Sequence, residues 1–269
     1  MKYAVGDNND KVEAVPGAKG DCPACGAALV PKCGPVRMNH WAHKGRRHCD
    51  PWWENETLWH REWKGHFPAE WQEICLNDAD TGERHIADVR AENGIVVEFQ
   101  HSFMRREEMV AREAFYKNMV WVVDGTRLKT DKARFLKNGR HLNDIWRGLI
   151  FLTQFPEETF NKNWVGRSKP VFFDFAGLSE NIPEGKGKLL WCLLPGAVSR
   201  GSIVLSIKQS DFVERVKAGD LMDFIGEVYR YGQSHNQLIT QRAINREKEW
   251  LAMKYSRRKP GRLRRRRRL

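Results

Sequence analysis

The stretch RHIADVRAENGIVVEFQHS, residues 84–102, contains two short apolar segments joined by a turn, and charged residues interrupt both segments. Asn93-Gly94 is a strong turn signal, but a two-residue loop centred on it would place Asp88 on the apolar face of the hairpin. A three-residue loop that ends at Gly94 in the left-handed conformation shifts the pairing by one residue. Asp88 then lies opposite Glu98, and we predict this register.

This register sorts the hairpin into two faces. One face is apolar and is expected to pack on the core: Ala87, Val89, Ala91, Ile95, Val97 and Phe99. The other face gathers two carboxylates and an amide beside three further residues: Asp88, Glu98 and Gln100, with Ile86, Arg90 and Val96. Two adjacent carboxylates raise one pKa unless a cation lies between them.

Carboxylate oxygens with retained water are typical of a Mg²⁺ or Mn²⁺ site. Such an ion can polarise a phosphodiester and lower the pKa of an attacking water. We therefore predict a catalytic metal site formed by Asp88 and Glu98, with Gln100 orienting the water. The alternative is a solvent-facing strand pair with ordinary surface charges.

A helix is predicted over residues 54–67, before the hairpin. Within it Glu56, His60 and Lys64 recur every fourth residue and form one polar stripe. This stripe could supply a third metal ligand, a proton carrier and a phosphate clamp. The alternative is a salt-bridged surface of the helix.

The order of predicted elements indicates a mixed sheet. Besides the helix over 54–67 and the hairpin, the pattern predicts a strand over 71–76, an amphipathic helix over 104–118 and a buried strand over 119–123. An antiparallel meander with a helical crossover to a fourth strand gives an α/β (α+β) fold. A second α/β portion is expected beyond it, with helices over 131–153 and 210–230 and strands over 169–176 and 188–194.

Four of the six cysteines lie between residues 22 and 49 beside three histidines, which is typical of a metal site rather than of disulfides. Cys22-x2-Cys25 and His40-x2-His43 supply the four ligands of a structural Zn²⁺. Three further candidates are Cys33, His48 and Cys49. Cys49 could replace one of the two histidines, and a metal-free ribbon is the alternative. The other two cysteines lie in apolar runs and are predicted core thiols: Cys75 and Cys192.

Most of the formal net charge of +12 lies in the last thirteen residues. Residues 257–269 hold nine basic side chains and no acidic one, so the rest of the chain carries only +3. We expect this segment to be disordered and to attract phosphate, although it could simply aid solubility. The predicted nucleic-acid contacts are Arg46, Arg47, Arg112, Tyr116, Arg264, Arg265 and Arg266. Packing on the helix surface is the alternative for Arg112 and Tyr116. The chain has no membrane-length apolar run and no secretory signal, so we expect a cytoplasmic protein.

The motifs CPAC and NHWAH are followed in order by ETLWHREWK, HIADV, EFQHS, REAFY and WVVDG. This series resembles the CoiA-like competence proteins, a branch of the restriction-endonuclease-like PD-(D/E)XK superfamily, over residues 21–125. The resemblance implies an αβββαβ nuclease core and metal-dependent cleavage or processing of DNA. By position, it implies that Asp88 and Glu98 bind metal and that Glu56 is the acid of the first helix.

One position departs from the superfamily pattern. Gln100 stands where a lysine usually follows the glutamate by two residues. Glutamine can hydrogen-bond water or phosphate, but it has no positive charge. Lys64 could supply that charge from the preceding helix.

These observations predict five regions: a loose N-terminus (1–20), a zinc-ribbon-like module (21–50), a nuclease-like core (51–128), an α/β portion (129–255) and a disordered basic tail (256–269). The expected function is a Mg²⁺-dependent DNA nuclease or processing factor, acting on single-stranded or branched DNA with possible recombination partners. The alternatives are a non-catalytic zinc-containing DNA-binding accessory protein and an RNA-directed protein.

Overall fold

The computed structural model describes residues 1–45, 49–52, 56–79, 81–176, 188–198 and 201–256. Its strands are β1 (Tyr3–Val5), β2 (Lys11–Glu13), β3 (Leu29–Lys32), β4 (His40–His43), β5 (Gln72–Asn77), β6 (Arg84–Arg90), β7 (Val96–Gln100), β8 (Met119–Asp124), β9 (Asn143–Trp146), β10 (Ile150–Thr153), β11 (Val171–Asp174), β12 (Leu189–Leu193) and β13 (Ser202–Lys208). Its α-helices are α1 (Leu58–Lys64), α2 (Arg106–Phe115), α3 (Lys129–Asn138), α4 (Pro156–Thr159), α5 (Gln209–Ala218) and α6 (Leu221–Ser256).

A large mixed sheet organises the fold, as predicted. Its strand order is β5-β6-β7-β8-β11-β12-β13-β10-β9. The first three strands form an antiparallel meander, and α2 connects β7 to the parallel strand β8. The strands after β8 extend this same sheet, since β11 pairs in parallel with β8.

Helices cover both faces of the sheet, which explains why β8 is apolar from Met119 to Val123. Val120 and Val122 pack in one apolar cluster with side chains of α1, α5 and α6. Met119 and Trp121 point the other way and pack with side chains of α2 and α3. Alternate side chains of β8 therefore pack in two different apolar clusters, one on each face of the sheet.

Two predicted helices differ from the structure. Residues 131–153, expected as one helix, form α3 and then the hairpin of β9 and β10. The turn of this hairpin has Gly148 in the left-handed region at φ 71°. Its N–H donates to the side chain of Asp144. Residues 210–230, expected as one helix, are divided into α5 and α6 at Gly219, which has φ 84°.

The N-terminal residues 1–20, expected to be loose, instead contain the hairpin of β1 and β2. Met1, Tyr3 and Ala4 are buried, and Ala4 packs in a small third cluster with Cys22 and Trp41. None of the helices in the described residues combines the length and apolar character that crossing a membrane requires.

Candidate metal centres

The hairpin of β6 and β7 has the predicted register. Val89 pairs with Val97 and Arg90 with Val96, which sets Asp88 opposite Glu98. The turn is closed by a bond from the Gly94 N–H to the Ala91 carbonyl, and Gly94 has φ 83°. A glycine is needed at this turn because its backbone lies in the left-handed region.

The two opposed carboxylates lie between the strands. The N–H of Asp88 donates to Glu98 Oε1 at 3.1 Å, and the N–H of Phe99 donates to Asp88 Oδ2 at 3.0 Å. Each carboxylate therefore takes the place of a backbone acceptor on the opposite strand. The prediction placed Ala87 and Val89 on the same apolar face. In the structure they pack in different core clusters, so the predicted face is wrong at Ala87.

A small cavity of about 60 Å³ opens at this carboxylate pair. Five carboxylates line it: Asp50, Glu56, Glu73, Asp88 and Glu98. Among the described residues, the cationic side chains that line it are Lys64 and Arg112. Arg61 adds one further positive charge at Glu56, at 3.3 Å. The lining therefore carries an excess of acidic groups.

Lys64 is the central cation of this cavity. Its Nζ lies 2.9 Å from Glu56 Oε1, 3.0 Å from Glu73 Oε1 and 3.7 Å from Asp88 Oδ1. Burial acts to lower the pKa of Lys64, but Glu73, Asp88 and Glu56 raise it well above its usual value. The ammonium is therefore charged at every physiological pH.

Glu56 and Lys64 both line the cavity, as predicted from their common stripe. The helix itself, Leu58–Lys64, is shorter than the predicted range of 54–67. Helix α1 begins after its N-cap, Thr57, so Glu56 precedes the helix. Residues 53–55 lie outside the described residues. A threonine N-cap favours a helix start at this position because its hydroxyl accepts from the N–H of His60.

Glu73 is a site residue that the sequence analysis missed. Its two carboxylate oxygens accept the N–H groups of Lys2 and Tyr3 at 2.8 and 2.9 Å. Burial acts to raise the pKa of Glu73, but Lys64, the N-terminal ammonium of Met1 and these N–H groups lower it to about 2. A glutamate within the apolar run WQEICL was the available signal.

Glu98 is buried beside a cation of α2. Arg112 Nη1 lies 2.7 Å from Glu98 Oε2, and Arg112 Nη2 lies 2.7 Å from Glu108 Oε1. Burial and the charge of Asp88 nevertheless raise the pKa of Glu98 to about 8, against the opposing effect of Arg112. Burial is the largest of these effects, so a further cation beside Glu98 would favour its charged form.

Three other predicted site residues take different roles in the structure. His60 lines the carboxylate cavity. Its Nε2 lies 3.1 Å from the Phe99 carbonyl and its Nδ1 lies 2.9 Å from Thr57 Oγ1, so this histidine also positions α1 against β7. Gln100 lines a neighbouring cavity rather than the carboxylate cavity. Tyr116 is 3% exposed and packs in the core, which does not favour contact with nucleic acid.

Several predicted contacts cannot be placed. The predicted nucleic-acid contacts that lie outside the described residues are Arg46, Arg47, Arg264, Arg265 and Arg266. His48, a candidate zinc ligand, also lies outside them.

A second group of ligands lies in the N-terminal module: Cys22, Cys25, His43 and Cys49. Among the described residues, it is the one group of three or more metal-ligating side chains whose ligand atoms converge within 4.8 Å of one another. Cys22 Sγ and Cys49 Sγ are 3.6 Å apart, and His43 Nε2 lies 3.4 Å from Cys25 Sγ and 3.3 Å from Cys49 Sγ.

These spacings fit zinc. Tetrahedral Zn²⁺ with Zn–S bonds of about 2.3 Å holds two sulfur ligands about 3.8 Å apart. Three cysteines and one histidine are also a usual donor set for structural zinc. This Cys3His cluster could therefore hold a structural zinc ion.

The predicted ligand His40 does not belong to the cluster, and Cys49 takes the fourth position. His40 and His43 lie on the same strand, β4, three residues apart. An odd separation directs two side chains to opposite faces of a strand. His40 Nδ1 instead lies 2.8 Å from the Met38 carbonyl.

Comparison with known proteins bears on this module. Residues 8–51 match the family model described as Competence protein CoiA, N-terminal domain. The four cluster residues all lie within the matched CoiA segment, so the predicted resemblance is confirmed there. The match indicates a competence-related function. Comparisons with curated proteins and with solved structures gave no match.

Proposed function

We propose that this chain is a metal-dependent DNA nuclease of the PD-(D/E)XK type that acts in competence or recombination. The observation that carries the proposal is the pairing of Asp88 with Glu98 across two strands, at a cavity whose lining has an excess of acidic groups. Such an arrangement favours a divalent cation, because the cation lowers the pKa of the carboxylates that bind it.

The topology around the cavity supports the same reading. Helix α1, strands β5 to β7, helix α2 and strand β8 follow one another in the αβββαβ order. The two acids lie on the second and third strands of this series. The match to a CoiA N-terminal domain lies directly before it in the chain.

The residues present fit Mg²⁺ or Mn²⁺. Asp88 and Glu98 offer hard oxygen donors, and a hard cation held by one or two carboxylates keeps several waters. Burial and the charge of Asp88 raise the pKa of Glu98 to about 8, and a bound divalent cation would lower it. When bound, such an ion polarises a phosphodiester and lowers the pKa of a coordinated water.

Lys64 takes over the role that Gln100 cannot fill. Its ammonium lies 3.7 Å from Asp88 Oδ1 and closer to Glu56 and Glu73, at 2.9 and 3.0 Å. A fixed ammonium at this position can stabilise the negative charge that develops on a phosphate during cleavage. Glu73 and Glu56 therefore position Lys64 rather than contact the substrate.

A non-catalytic DNA-binding accessory protein is the second candidate. Two observations favour it: Arg112 already contacts Glu98 at 2.7 Å, and Gln100 stands where the superfamily has a lysine. In this case the same carboxylates and cations would stabilise the sheet without binding a divalent ion.

A cleavage assay separates the two candidates. Single-stranded, duplex and branched DNA are incubated with the full chain in Mg²⁺ or Mn²⁺. Cleavage that is lost in Asp88→Asn, while DNA binding is retained, supports the nuclease. Binding by the wild type without cleavage of any substrate supports the accessory protein. Stronger binding of RNA than of DNA would contradict both.

A further inference from the structure

A second cavity, of about 320 Å³, lies beside the carboxylate cavity. Trp52 and Arg112 line both of them, so one pair of side chains separates the two spaces. The remaining lining comes from the end of β7 and the loop that follows, from α2 and from the segment before α1. It includes Gln100, His101, Ser102, Phe103 and Glu108.

The charged groups of this second cavity are paired within the protein. Glu108 Oε1 lies 2.7 Å from Arg112 Nη2, and His101 Nδ1 lies 2.7 Å from Asp124 Oδ2. A phosphate in this cavity would therefore meet the carboxylate of Glu108 and a guanidinium that is already paired. A neutral polar ligand is better suited to this space.

Neutral polar groups form one edge of the cavity. Gln100 Nε2 donates to the Ser102 carbonyl at 3.0 Å, so an amide and a serine are held together at the end of β7. Gln100 is 2% exposed, which fixes its position. Amide and hydroxyl groups of this kind hydrogen-bond to the polar edge of a flat heterocycle.

An aromatic side chain lies next to that edge. Phe103 lines the cavity and is 65% exposed, so its ring can be reached from solvent. Exposed aromatic rings beside a nucleic-acid path are typical platforms for stacking unpaired bases. The volume also lies at the lower end of the range for small-ligand sites.

We propose that this cavity binds one unpaired nucleobase of the DNA strand, next to the phosphodiester that is cleaved at Asp88 and Glu98. Phe103 stacks on the base, and Gln100 and Ser102 face its polar edge. The inference rests on the proposed nuclease function and deepens it, since a base in this cavity cannot remain paired. Single-stranded DNA, or an unpaired end or branch, is then the substrate.

Binding of fluorescein-labelled single-stranded DNA to the full chain, without added Mg²⁺, tests the base site. Phe103→Ala should weaken this binding about tenfold, the size expected for the loss of one stacked base. Phe155→Ala is the matched control, because Phe155 is also exposed, at 48%, but does not line the cavity. Unfolding temperatures equal to that of the wild type would show that neither substitution changes folding.

A scan with single abasic nucleotides locates the bound base. Removing one particular base should weaken wild-type binding by the same factor and should have no further effect on Phe103→Ala. With Mg²⁺, that base should adjoin the cleaved bond. If the chain cleaves DNA but no abasic position weakens binding and Phe103→Ala binds as the wild type does, the base site is overturned and the nuclease stands. If one abasic position alone weakens binding but no DNA is cleaved, only the nuclease proposal is overturned.

Discussion

The two candidate metal centres are built in different ways. The cysteine and histidine ligands come from one segment of 28 residues, Cys22 to Cys49, and the apolar cluster beside them is small. The carboxylate cavity is assembled from α1, β5, β6, β7 and α2, and its strands belong to a nine-stranded sheet. The first centre should therefore need its metal to fold, whereas the second should fold without one.

The largest expected effect concerns the zinc cluster. Cys49→Ser should lose the bound zinc and unfold the N-terminal module, because structural zinc contributes about 10–16 kcal/mol in small zinc-binding folds. Zinc content by atomic absorption and the unfolding temperature measure this. His40→Ala is the control and should keep one zinc per chain. Loss of zinc in His40→Ala with retention in Cys49→Ser would overturn the ligand set.

The next effect concerns the carboxylate cavity. Lys64→Ala leaves Glu56 and Glu73 without their shared ammonium, and breaking a buried ion pair in this way costs about 3–5 kcal/mol. Urea denaturation measures the change in the free energy of unfolding. Lys137→Ala, at an exposed position of α3, should stay within about 0.5 kcal/mol of the wild type. Equal effects of the two substitutions would contradict the contacts of Lys64.

Glu73 should give stability that depends on pH. Its pKa falls from 4.5 to about 2 on folding, so the contribution is present above the unfolded pKa and is lost as the pH falls from 4.5 toward 2. Glu73→Gln should be less stable than the wild type by about 3 kcal/mol at pH 7, since one pKa unit corresponds to about 1.4 kcal/mol. Near pH 2 the difference should vanish. Glu70→Gln, at an exposed site, should show no such dependence.

Asp88 should separate activity from folding. Asp88→Asn keeps an oxygen that can accept the Phe99 N–H, yet it removes one charge from the proposed metal site. Cleavage should fall at least about 100-fold, comparable to the loss of one electrostatic stabiliser of a transition state. The metal-free variant should unfold at or above the wild-type temperature, because Asp88 raises the pKa of Glu98. Asp211→Asn, an exposed control on α5, should change neither quantity.

The smallest effect concerns the basic C-terminal residues. Replacing three arginines by alanine should weaken DNA binding only a few-fold at physiological salt: Arg264, Arg265 and Arg266. Loss of three phosphate contacts should also reduce the slope of log affinity against log salt by about 2 to 3. Binding titrations at several salt concentrations measure both. An unchanged slope would leave these residues as a solubilising segment.

The sequence predicted what depends on local periodicity. The hairpin register follows from the alternation of Ile95, Val97 and Phe99 with Val96 and Glu98, because a shift of one residue would bury Asp88 on the apolar face. The CoiA-like motif series likewise marked the N-terminal segment. The zinc ligands were predicted except for one, because β4 was not recognised as a strand and the odd spacing of His40 and His43 was therefore not used.

Contacts between distant segments could not be predicted in this way. Glu73 accepts the N–H groups of Lys2 and Tyr3, which lie 71 and 70 residues away in the sequence, and no local pattern encodes that approach. The same holds for Arg112, which was expected on a nucleic-acid surface and is buried against Glu98. Long-range packing, rather than secondary structure, decides which charged side chains line the cavity.

Anomalous diffraction from crystals soaked in Mn²⁺ tests the central claim most directly. The account predicts a manganese peak bound by oxygens of both Asp88 and Glu98, at bond lengths of about 2.0–2.2 Å. A zinc peak among Cys22, Cys25, His43 and Cys49 would serve as the internal positive control. A clear zinc peak with no manganese between Asp88 and Glu98 would contradict the account.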